Sequence, residues 1–559
     1  MDEKTAAKKI FYRFFSSWHG LLLLLSVSFL YFLFGITGVV DVYDEGIPVY
    51  GAERILNGEV PYRDFWTIYA PGQFYVLAGL FKIFGSSLLA ERLYDTAVRA
   101  LVSGTVYLIA LRLASPGWGL LFWVVVTAWL KFFGYHASST FPAILFVLVS
   151  LWAVSGLPAQ EKPKRWIFIS GLLAGLATLF RHDFGFYTFL SEISAILFFP
   201  FWHRKLTRGG KVSSNWASVL IASLWPYLLG FGAVLFFPLA FFLSAVPVKD
   251  LWYDLVTFPA TIFPLVRDLP YPAPLPDPAR IFRGELSFFR AFTDLSHRWA
   301  FYVVPLTFAA VFFFLLFGNR RKPHPKGGGD GDAAWEWGVG VFLVFGILSF
   351  NNVRVRSDLP HLFPSFVAAG LLFPALVAKI LELRLFRRGL VFGVGLAAAL
   401  LLFPHPLQEL QKPGVDERYR HLLYVHNLRR AGLVGVNPFQ AQTVHYVQSV
   451  TFPWERIFVG SHRHDQIYNS DVIFYFLSER NCATRYHELS PGSATSREVQ
   501  AAIIDDLQRN HVRYIVILSR IPIRGVTNEP VPVRLLDEFI KVNYQQVEKF
   551  GDWFVLKRR

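Results

Sequence analysis

The chain has 559 residues, of which 53% are hydrophobic and 17% aromatic, and its formal net charge is +15. Segments nearly free of charge, such as Gly20–Val40 and Phe141–Val154, exclude a chain of ordinary soluble domains, because a helix crosses a membrane with about 20 apolar residues. Most positive charges fall in short loops between apolar runs, so membrane orientation explains them better than nucleic-acid binding. The single cysteine, Cys482, excludes an intramolecular disulfide and a cysteine-based metal site.

Hydropathy along the chain predicts about eleven membrane-spanning helices. The first apolar run follows basic residues as a signal peptide does, but it is long and lacks a small-residue cleavage site, so we interpret it as a retained span. Pro71–Phe84 is apolar but short and is predicted to be an interfacial helix. Asn215–Val246, with two internal prolines, is predicted to be one tilted or kinked span. The predicted spans are 19–39, 93–112, 117–134, 139–157, 166–181, 184–202, 215–245, 298–317, 335–350, 359–378 and 387–404.

Basic residues predict the orientation of these spans. With residues 1–18 in the cytoplasm, every second loop is basic, as the positive-inside rule requires. The C-terminus then lies outside the cytoplasm, and the chain is predicted to be a multi-pass protein of a bacterial inner or plasma membrane. The cytoplasmic loops carry Arg112; Lys162, Lys164 and Arg165; Arg204, Lys205, Arg208 and Lys211; Arg320, Arg321, Lys322 and Lys326; and Lys379, Arg384, Arg387 and Arg388.

Residues 405–559 differ in character from the apolar residues 19–404 and predict a soluble extracytoplasmic α/β domain. Arg456–Gly460 and Arg513–Leu518 have the pattern of strands. Ser496–Asn510 has the pattern of an amphipathic helix, and Phe550–Lys557 that of a closing strand. The predicted fold class is therefore an α-helical polytopic membrane protein that carries a C-terminal α/β domain.

Acidic residues are concentrated in the first outer loop, residues 40–92, directly after the first span. Asp41, Asp44 and Glu45 come first, and Asp64 follows before Trp66 and a Pro-Gly pair. Carboxylates at the end of a span are costly to desolvate unless they have a task. A single aspartate there is explained by a wet interface, but the cluster favours a functional site.

Two further polar clusters lie at the outer ends of later spans. Arginine and histidine bind phosphate through charge-assisted hydrogen bonds, and outer loops normally lack excess arginine. These clusters therefore predict a phosphate site, with snorkelling of the arginines to lipid headgroups as the alternative. The clusters are Arg181, His182 and Asp183, and Arg354, Arg356, Asp358 and His361.

Two other features leave alternatives open. Glu91, Arg92, Asp95 and Arg99 are spaced by three and four residues, which fits equally a structural ladder of ion pairs and a role in substrate binding. The large outer loop, residues 246–297, is predicted to lack secondary structure and to act either as a lid or as a connector. The sequence has no Walker-type phosphate loop, dinucleotide-binding turn or HExxH motif, which disfavours ATP-driven transport and zinc proteolysis.

The motifs of the first outer loop resemble the GT-C superfamily of membrane glycosyltransferases. The resemblance rests on the Asp-Glu pair at Asp44 and Glu45, on the Gly-x-x-Pro-Tyr-Arg-Asp-Phe…Tyr-x-Pro-Gly stretch of residues 58–72, and on the short helix that ends at Phe84-Gly85. It covers residues 20–200, and it is closest to the dolichyl-phosphate-mannose–protein mannosyltransferase and aminoarabinose transferase-like families of bacteria.

The resemblance implies an inverting glycosyltransferase that moves a sugar from a polyprenyl-phosphate donor to a glycan, lipid or protein acceptor on the extracytoplasmic face. It implies no cofactor and does not exclude a divalent metal. The catalytic aspartate of the family corresponds best to Asp44, with Glu45 beside it and Asp41 as a close rival. From the predicted topology we expect the donor phosphate to bind Arg181, His182, Arg354, Arg356 and His361, and we expect acceptor-binding or supporting roles for Asp64, Asp183 and Asp358.

Two other functions remain open. An oligosaccharide ligase or polymerase that acts on lipid-linked glycans would also use outer arginines and a large outer loop, but it would not need the Asp-Glu pair. A transporter or flippase would place ionisable residues or broken helices at mid-membrane, whereas the ionisable residues here are predicted at one end of the spans. The sequence does not identify the sugar or the acceptor.

Overall fold

The computed structural model describes residues 12–134, 136–206, 216–275, 283–284, 287–318, 329–382, 393, 425–489, 492–519 and 530–559. Apolar helices form the larger part, and a small sheet follows near the C-terminus. Up to residue 382 the helices are Trp18–Leu33, Gly46–Leu56, Gly72–Phe84, Leu88–Leu113, Pro116–Phe132, Thr140–Ser155, Pro163–Phe180, His182–Leu206, Trp216–Ala245, Val248–Trp252, Phe263–Arg267, Phe288–Phe313, Gly329–Ser349, Asn351–Val355 and Leu359–Glu382, with a 3-10 turn at Leu157–Ala159 and π-helical segments at Tyr253–Ile262 and Phe314–Gly318.

Each predicted span up to 359–378 coincides with a helix of the structure. Within the described ranges, five helices are long and apolar enough to cross a membrane: Leu88–Leu113, Ile221–Ala245, Arg290–Phe317, Asp332–Arg354 and Leu359–Glu382. Predicted span 387–404 lies outside the described residues except for residue 393. The total of eleven spans therefore stays a prediction.

Helix Trp216–Ala245 is continuous through both of its prolines, as the single predicted span requires. It packs closely on helix Pro163–Phe180, and glycines make this approach possible. A Cβ on Gly171 would lie 2.2 Å from the carbonyl oxygen of Tyr227, and a Cβ on Gly230 would lie 2.3 Å from that of Phe168. Small residues allow two helix backbones to touch in this way, which is the usual packing of helices in a membrane.

The large outer loop is not devoid of secondary structure, so this part of the prediction was wrong. It begins with a helical segment of three consecutive parts, Val248–Trp252, Tyr253–Ile262 and Phe263–Arg267. The middle part is a π-helix that contains Pro259. Prolines suggested irregular chain because a proline removes a backbone donor, but a locally widened turn accommodates that loss without ending the helix. The next long helix also begins earlier than predicted, at Phe288.

The C-terminal sheet is mixed and has five strands, β1 Arg456–Ser461, β2 Asn481–Cys482, β3 Tyr514–Leu518, β4 Tyr544–Phe550 and β5 Trp553–Arg558. Their order in the sheet is β2-β1-β3-β5-β4. Strand β1 pairs in parallel with β2 and β3, whereas β5 pairs antiparallel with β3 and β4. The sequence patterns for β1, β3, β5 and the intervening helix are confirmed. The helices of this domain are Pro438–Val450, Ile473–Ser478, Arg497–Arg509 and Leu535–Asn543.

The two faces of this sheet are covered by different parts of the chain. Side chains of β1 and β3 alternate between the faces, so Phe458 and Ile515 pack with helices Arg497–Arg509 and Leu535–Asn543. Val459 and Val516 point the other way, into a core that includes residues of helices 46–56 and 72–84. The first outer loop therefore forms one layer of the C-terminal domain.

Candidate functional site

Asp44 lies in a tight turn that follows the first helix, and its side chain is exposed. The turn is closed by Asp41, whose Oδ1 accepts hydrogen bonds from the backbone N–H groups of Tyr43 at 2.9 Å and of Asp44 at 2.6 Å. Aspartate side chains commonly stabilise turns by bonding to the backbone two residues further along the chain. Asp41 thus shapes the turn that presents the Asp44 carboxyl.

Charged side chains from three distant segments surround the Asp44 carboxyl. Burial by the surrounding protein raises its pKa above the ordinary aspartate value, and the negative charge of Asp41 raises it further. The charges of His136, Arg267 and Arg356 lower it in part. The Asp44 carboxyl is therefore open to solvent and, at the same time, close enough to four charged side chains for their charges to act on it.

Glu45 has a different environment from its neighbour, because its side chain is fully buried. Arg92 donates from Nε to its Oε1 at 2.7 Å and from Nη2 to its Oε2 at 2.9 Å. The same guanidinium donates to the carbonyl oxygens of Ile36 and Gly38, both at 2.7 Å. Both carboxylate oxygens are engaged, so this geometry favours a role for Glu45 in fixing the turn.

The four charged residues of the predicted ladder in helix Leu88–Leu113 do not form one continuous series of ion pairs. Arg92 pairs across to Glu45, while Asp95 and Arg99 pair with each other at 2.8 Å. The Glu91 carboxylate accepts a hydrogen bond from the backbone N–H of Ala137 at 2.5 Å. These are buried contacts between protein groups, which favours the structural alternative for the ladder.

In the third predicted cluster, Arg356 is the residue whose charge acts on Asp44. Its guanidinium pairs with Asp358 and donates from Nη1 to the backbone carbonyl of Arg267 at 3.1 Å. Asp358 also pairs with His361 and accepts its backbone N–H at 3.1 Å. Burial alone would raise the pKa of Asp358, but hydrogen bonds from His361 and Arg356 lower it to about 2. Asp358 is therefore a fixed anion that orients Arg356.

Arg354 lies apart from this arrangement. Its side chain is exposed, and its Nε donates to Oδ1 of Asn351 at 3.0 Å. Its charge acts on the phenol of Tyr187, whose hydroxyl donates to Asn352 at 3.0 Å. The structure thus places Arg354 beside Tyr187 and places Arg356 toward Asp44.

The second predicted cluster is linked to Asp44 through Tyr69. Arg181 donates to both carboxylate oxygens of Asp183, at 3.0 and 2.7 Å, and to Oγ1 of Thr140 at 3.0 Å. The charges of Arg181 and Asp44 both act on the Tyr69 phenol, and burial raises the pKa of that phenol. Within the described residues, the Nδ1 of His182 is buried without a hydrogen-bond partner.

Asp64 holds the segment that leads to Tyr69. Its carboxylate accepts the backbone N–H of Val60 at 2.7 Å and pairs with Arg63. Its carbonyl oxygen accepts from Nη2 of Arg54 at 2.9 Å, and Arg54 also donates to the carbonyl of Thr484 at 3.2 Å. Asp64 is therefore placed to support the contact between the first outer loop and the C-terminal domain.

Three further residues, none of them predicted from the sequence as a site residue, lie within electrostatic reach of Asp44. His136 lies between two predicted spans on the outer side, which was a usable signal. Arg267 lies at the end of the helical part of the large outer loop. Glu488 comes from the C-terminal domain, and no pattern in the sequence points to it. In the described part of the chain, no group of three or more His, Cys, Asp or Glu is arranged to hold a metal ion.

Comparison with known proteins supports the resemblance seen in the sequence. Residues 69–240 match the family profile described as dolichyl-phosphate-mannose-protein mannosyltransferase. No curated protein matches the chain. The archaeal oligosaccharyltransferase AglB from Archaeoglobus fulgidus, solved in complex with an inhibitory peptide and a dolichol-phosphate, is similar with a TM-score of 0.50 at 12% identity, over 90% of this chain and 70% of that chain.

A second solved structure, ArnT from Cupriavidus metallidurans bound to undecaprenyl phosphate, has a TM-score of 0.44 at 13% identity, over 96% of this chain and 97% of that chain. The resemblance predicted from the first outer loop is confirmed by the family match, and that match covers the loop from Tyr69 onward.

Proposed function

We propose that this multi-pass membrane protein, which has the fold of the GT-C glycosyltransferases, transfers a sugar from a polyprenyl-phosphate donor to an acceptor with inversion at the anomeric carbon. The observation that carries the proposal is the position of Asp44. Its carboxylate is open to solvent, while Arg267, Arg356 and His136 lie close enough for their charges to act on it. A base beside a group of cations is the arrangement that this reaction needs.

Asp44 acts as the general base in this proposal. The acceptor hydroxyl gives its proton to the Asp44 carboxylate as its oxygen forms a bond to the anomeric carbon. The bond between that carbon and the donor phosphate breaks, and polyprenyl phosphate leaves with the electron pair. A raised pKa suits Asp44 to this task, because a stronger base accepts the proton more readily.

Arg356 and Arg267 stabilise the charge that grows on the leaving phosphate. Preorganised cations are effective in a cleft because they need no rearrangement when the charge develops. Asp358 keeps Arg356 in place, and Arg181, held by Asp183, supplies positive charge at the side of Tyr69. The donor class is supported by the description of the matched family and by the dolichol-phosphate in the AglB complex.

The proposed reaction takes place on the extracytoplasmic face of the membrane, where a glycan, a lipid or a protein serves as acceptor. The direct test is to incubate purified protein in liposomes with a panel of radiolabelled polyprenyl-monophosphate sugars and polyprenyl-diphosphate oligosaccharides. We expect transfer from at least one monophosphate donor, with an inverted linkage in the product.

Other results of the same experiment would favour the alternatives. Transfer from diphosphate-linked oligosaccharides alone would support a ligase or polymerase. Movement of labelled lipid across the liposome bilayer without transfer would support a flippase. Either result would overturn the proposed function.

A further inference from the structure

Glu488 is brought from the C-terminal domain to the first outer loop by a segment that follows strand Asn481–Cys482. The backbone N–H of Trp66 donates to the carbonyl of Arg485 at 3.0 Å, and Nη2 of Arg485 donates to the carbonyl of Tyr62 at 2.6 Å. Arg485 also pairs with Asp254 of the large outer loop at 3.3 Å. Three distant segments of the chain are thus held together next to Glu488.

The Glu488 side chain is fully buried, yet its polar atoms are not satisfied. Thr67 lies close enough to interact with the carboxyl, but among the described residues no atom is in hydrogen-bond geometry with either carboxylate oxygen. Burying a polar group without a hydrogen bond costs free energy, so such groups are rare in structural positions. This position of Glu488 therefore indicates a task other than stability.

The surroundings of Glu488 are those of the candidate site. The charges of Asp44 and Arg267 act on its carboxyl, and those of Glu488 and Asp44 both act on the phenol of Tyr69. Arg267 has an unsatisfied donor, because its Nε is buried without a hydrogen-bond acceptor within the described ranges. A hydroxyl group bonds both to a donor and to a carboxyl, and these two groups are unpartnered within the described residues and within electrostatic reach of each other.

Burial raises the pKa of Glu488 to about 8, and the nearby charges of Asp254 and Asp44 raise it as well. The carboxyl therefore carries a proton at neutral pH. A neutral carboxyl has one O–H donor and retains acceptor capacity. This combination matches a hydroxyl group, which also donates and accepts.

We propose that Glu488 is a binding residue of this site and that, with Arg267, it holds a hydroxyl group of the transferred sugar or of the acceptor. This inference rests on the proposed function and goes beyond it, because it gives the C-terminal domain a direct part in substrate recognition. Glu488 takes no part in the proton transfer that Asp44 performs. It acts on binding and on the choice of substrate.

The test compares Glu488→Gln with Glu488→Leu. Glutamine keeps a donor and an acceptor at the same position, so we expect its KM values to stay within about threefold of wild type. Leucine removes both, so we expect KM to rise at least about tenfold for the substrate whose hydroxyl is bound, since a good hydrogen bond in a buried site contributes that factor. A rise in the donor KM assigns the hydroxyl to the sugar, and a rise in the acceptor KM assigns it to the acceptor.

Thermal unfolding separates binding from a structural role. Glu488→Leu removes a buried unsatisfied group, so its Tm should equal or exceed that of wild type while its KM rises. The matched control is Glu548→Leu, an exposed glutamate on strand β4 of the same domain, for which both KM values should be unchanged.

Two results would overturn the inference. Unchanged KM values in Glu488→Leu would show that no substrate hydroxyl binds there. A lower Tm with a uniform loss of kcat would assign Glu488 to the fold. An inactive wild-type protein would instead remove the proposed function itself, and the inference with it.

Discussion

At the scale of single residues, two aspartates three positions apart have different tasks. Asp41 accepts two backbone N–H groups at its Oδ1 and so forms part of the turn, whereas the Asp44 side chain is exposed and lies within reach of the charges of Arg267 and Arg356. The sequence left open which of the two is the base. The geometry favours Asp44, and kinetics can decide between them.

Asp44→Asn should abolish most of the transfer activity. The substitution keeps the shape of the side chain and removes the proton acceptor, and general-base catalysis typically contributes about 10²–10⁴-fold, so we expect the rate to fall by at least about 10². Donor binding should persist, because no packing is lost. Asp41→Asn is the matched control, with a smaller loss. A dead Asp41→Asn beside an active Asp44→Asn would move the base to Asp41.

The pH profile of kcat/KM provides a second prediction at this scale. Asp44 must be deprotonated to act as base, so activity falls as pH drops through its raised pKa. Asp41 raises that pKa and Arg356 lowers it. Asp41→Asn should therefore shift the acid limb to lower pH, and Arg356→Gln should shift it to higher pH. Shifts of the same sign, or none, would contradict the assignment of the limb to Asp44.

The site residues fall into two groups, those that a local sequence pattern predicts and those that it does not. Asp44 and Arg356 were predictable because each stands in a polar cluster at the end of an apolar run. Arg267 and Glu488 were not, because neither lies at the end of a predicted span and each comes near Asp44 only through the folding of segments hundreds of positions apart. Sequence patterns reflect only the local surroundings of a residue. A site whose residues are brought together by tertiary packing leaves no such local pattern.

At the scale of elements, the first outer loop contains Asp44 and also forms one layer of the C-terminal domain. Helix Gly46–Leu56 starts directly on the backbone of the C-terminal domain, and the backbone N–H of Ile473 donates to the carbonyl of Val42 at 3.0 Å. Glu45, one residue before this helix, is tied by Arg92 to a long apolar helix. The position of Asp44 therefore depends on packing on both sides.

Gly46→Ala should disturb this packing. An added Cβ would lie 2.4 Å from the backbone nitrogen of Ile473, and forcing extra atoms into a packed core costs about 1–3 kcal/mol. We expect a lower Tm in detergent and slower transfer. Gly79→Ala is the matched control, because its Cβ would meet nothing within 4 Å and alanine favours a helix. Equal Tm values for the two variants would show that the loop does not pack as described.

The elements that the sequence predicted share a strong periodic or apolar pattern. Strands β1 and β3 are buried on both faces and read as continuous apolar runs, as expected for parallel pairing. Strand β4 was not predicted, because its residues are mostly polar and exposed at the edge of the sheet. The π-helix Tyr253–Ile262 was not predicted either, since its proline favours an irregular chain.

At the scale of the whole molecule, the apolar helices and the C-terminal sheet are joined through a common core. Val40 donates its backbone N–H to the carbonyl of Gly435 at 2.9 Å, and Gly435 donates to the carbonyl of Thr37 at 2.9 Å. The end of the first span is thus bonded to the start of the C-terminal domain. Such contacts require the first outer loop and this domain to share one side of the membrane.

The orientation of the chain in the membrane therefore tests whether the number of spans is odd, as predicted. If basic loops mark the cytoplasm, a reporter inserted after Gly327 should be cytoplasmic, and one fused after Arg559 should be extracytoplasmic. A reporter inserted after Gly58, in the first outer loop, should agree with the Arg559 fusion, because both segments belong to one folded layer. If the Gly327 and Arg559 reporters fall on the same side, an even number of spans separates Gly327 from the sheet instead of the predicted three. With 335–350 as a span, Arg356 would then lie on the opposite side of the membrane from Asp44, and the proposed phosphate site would fail.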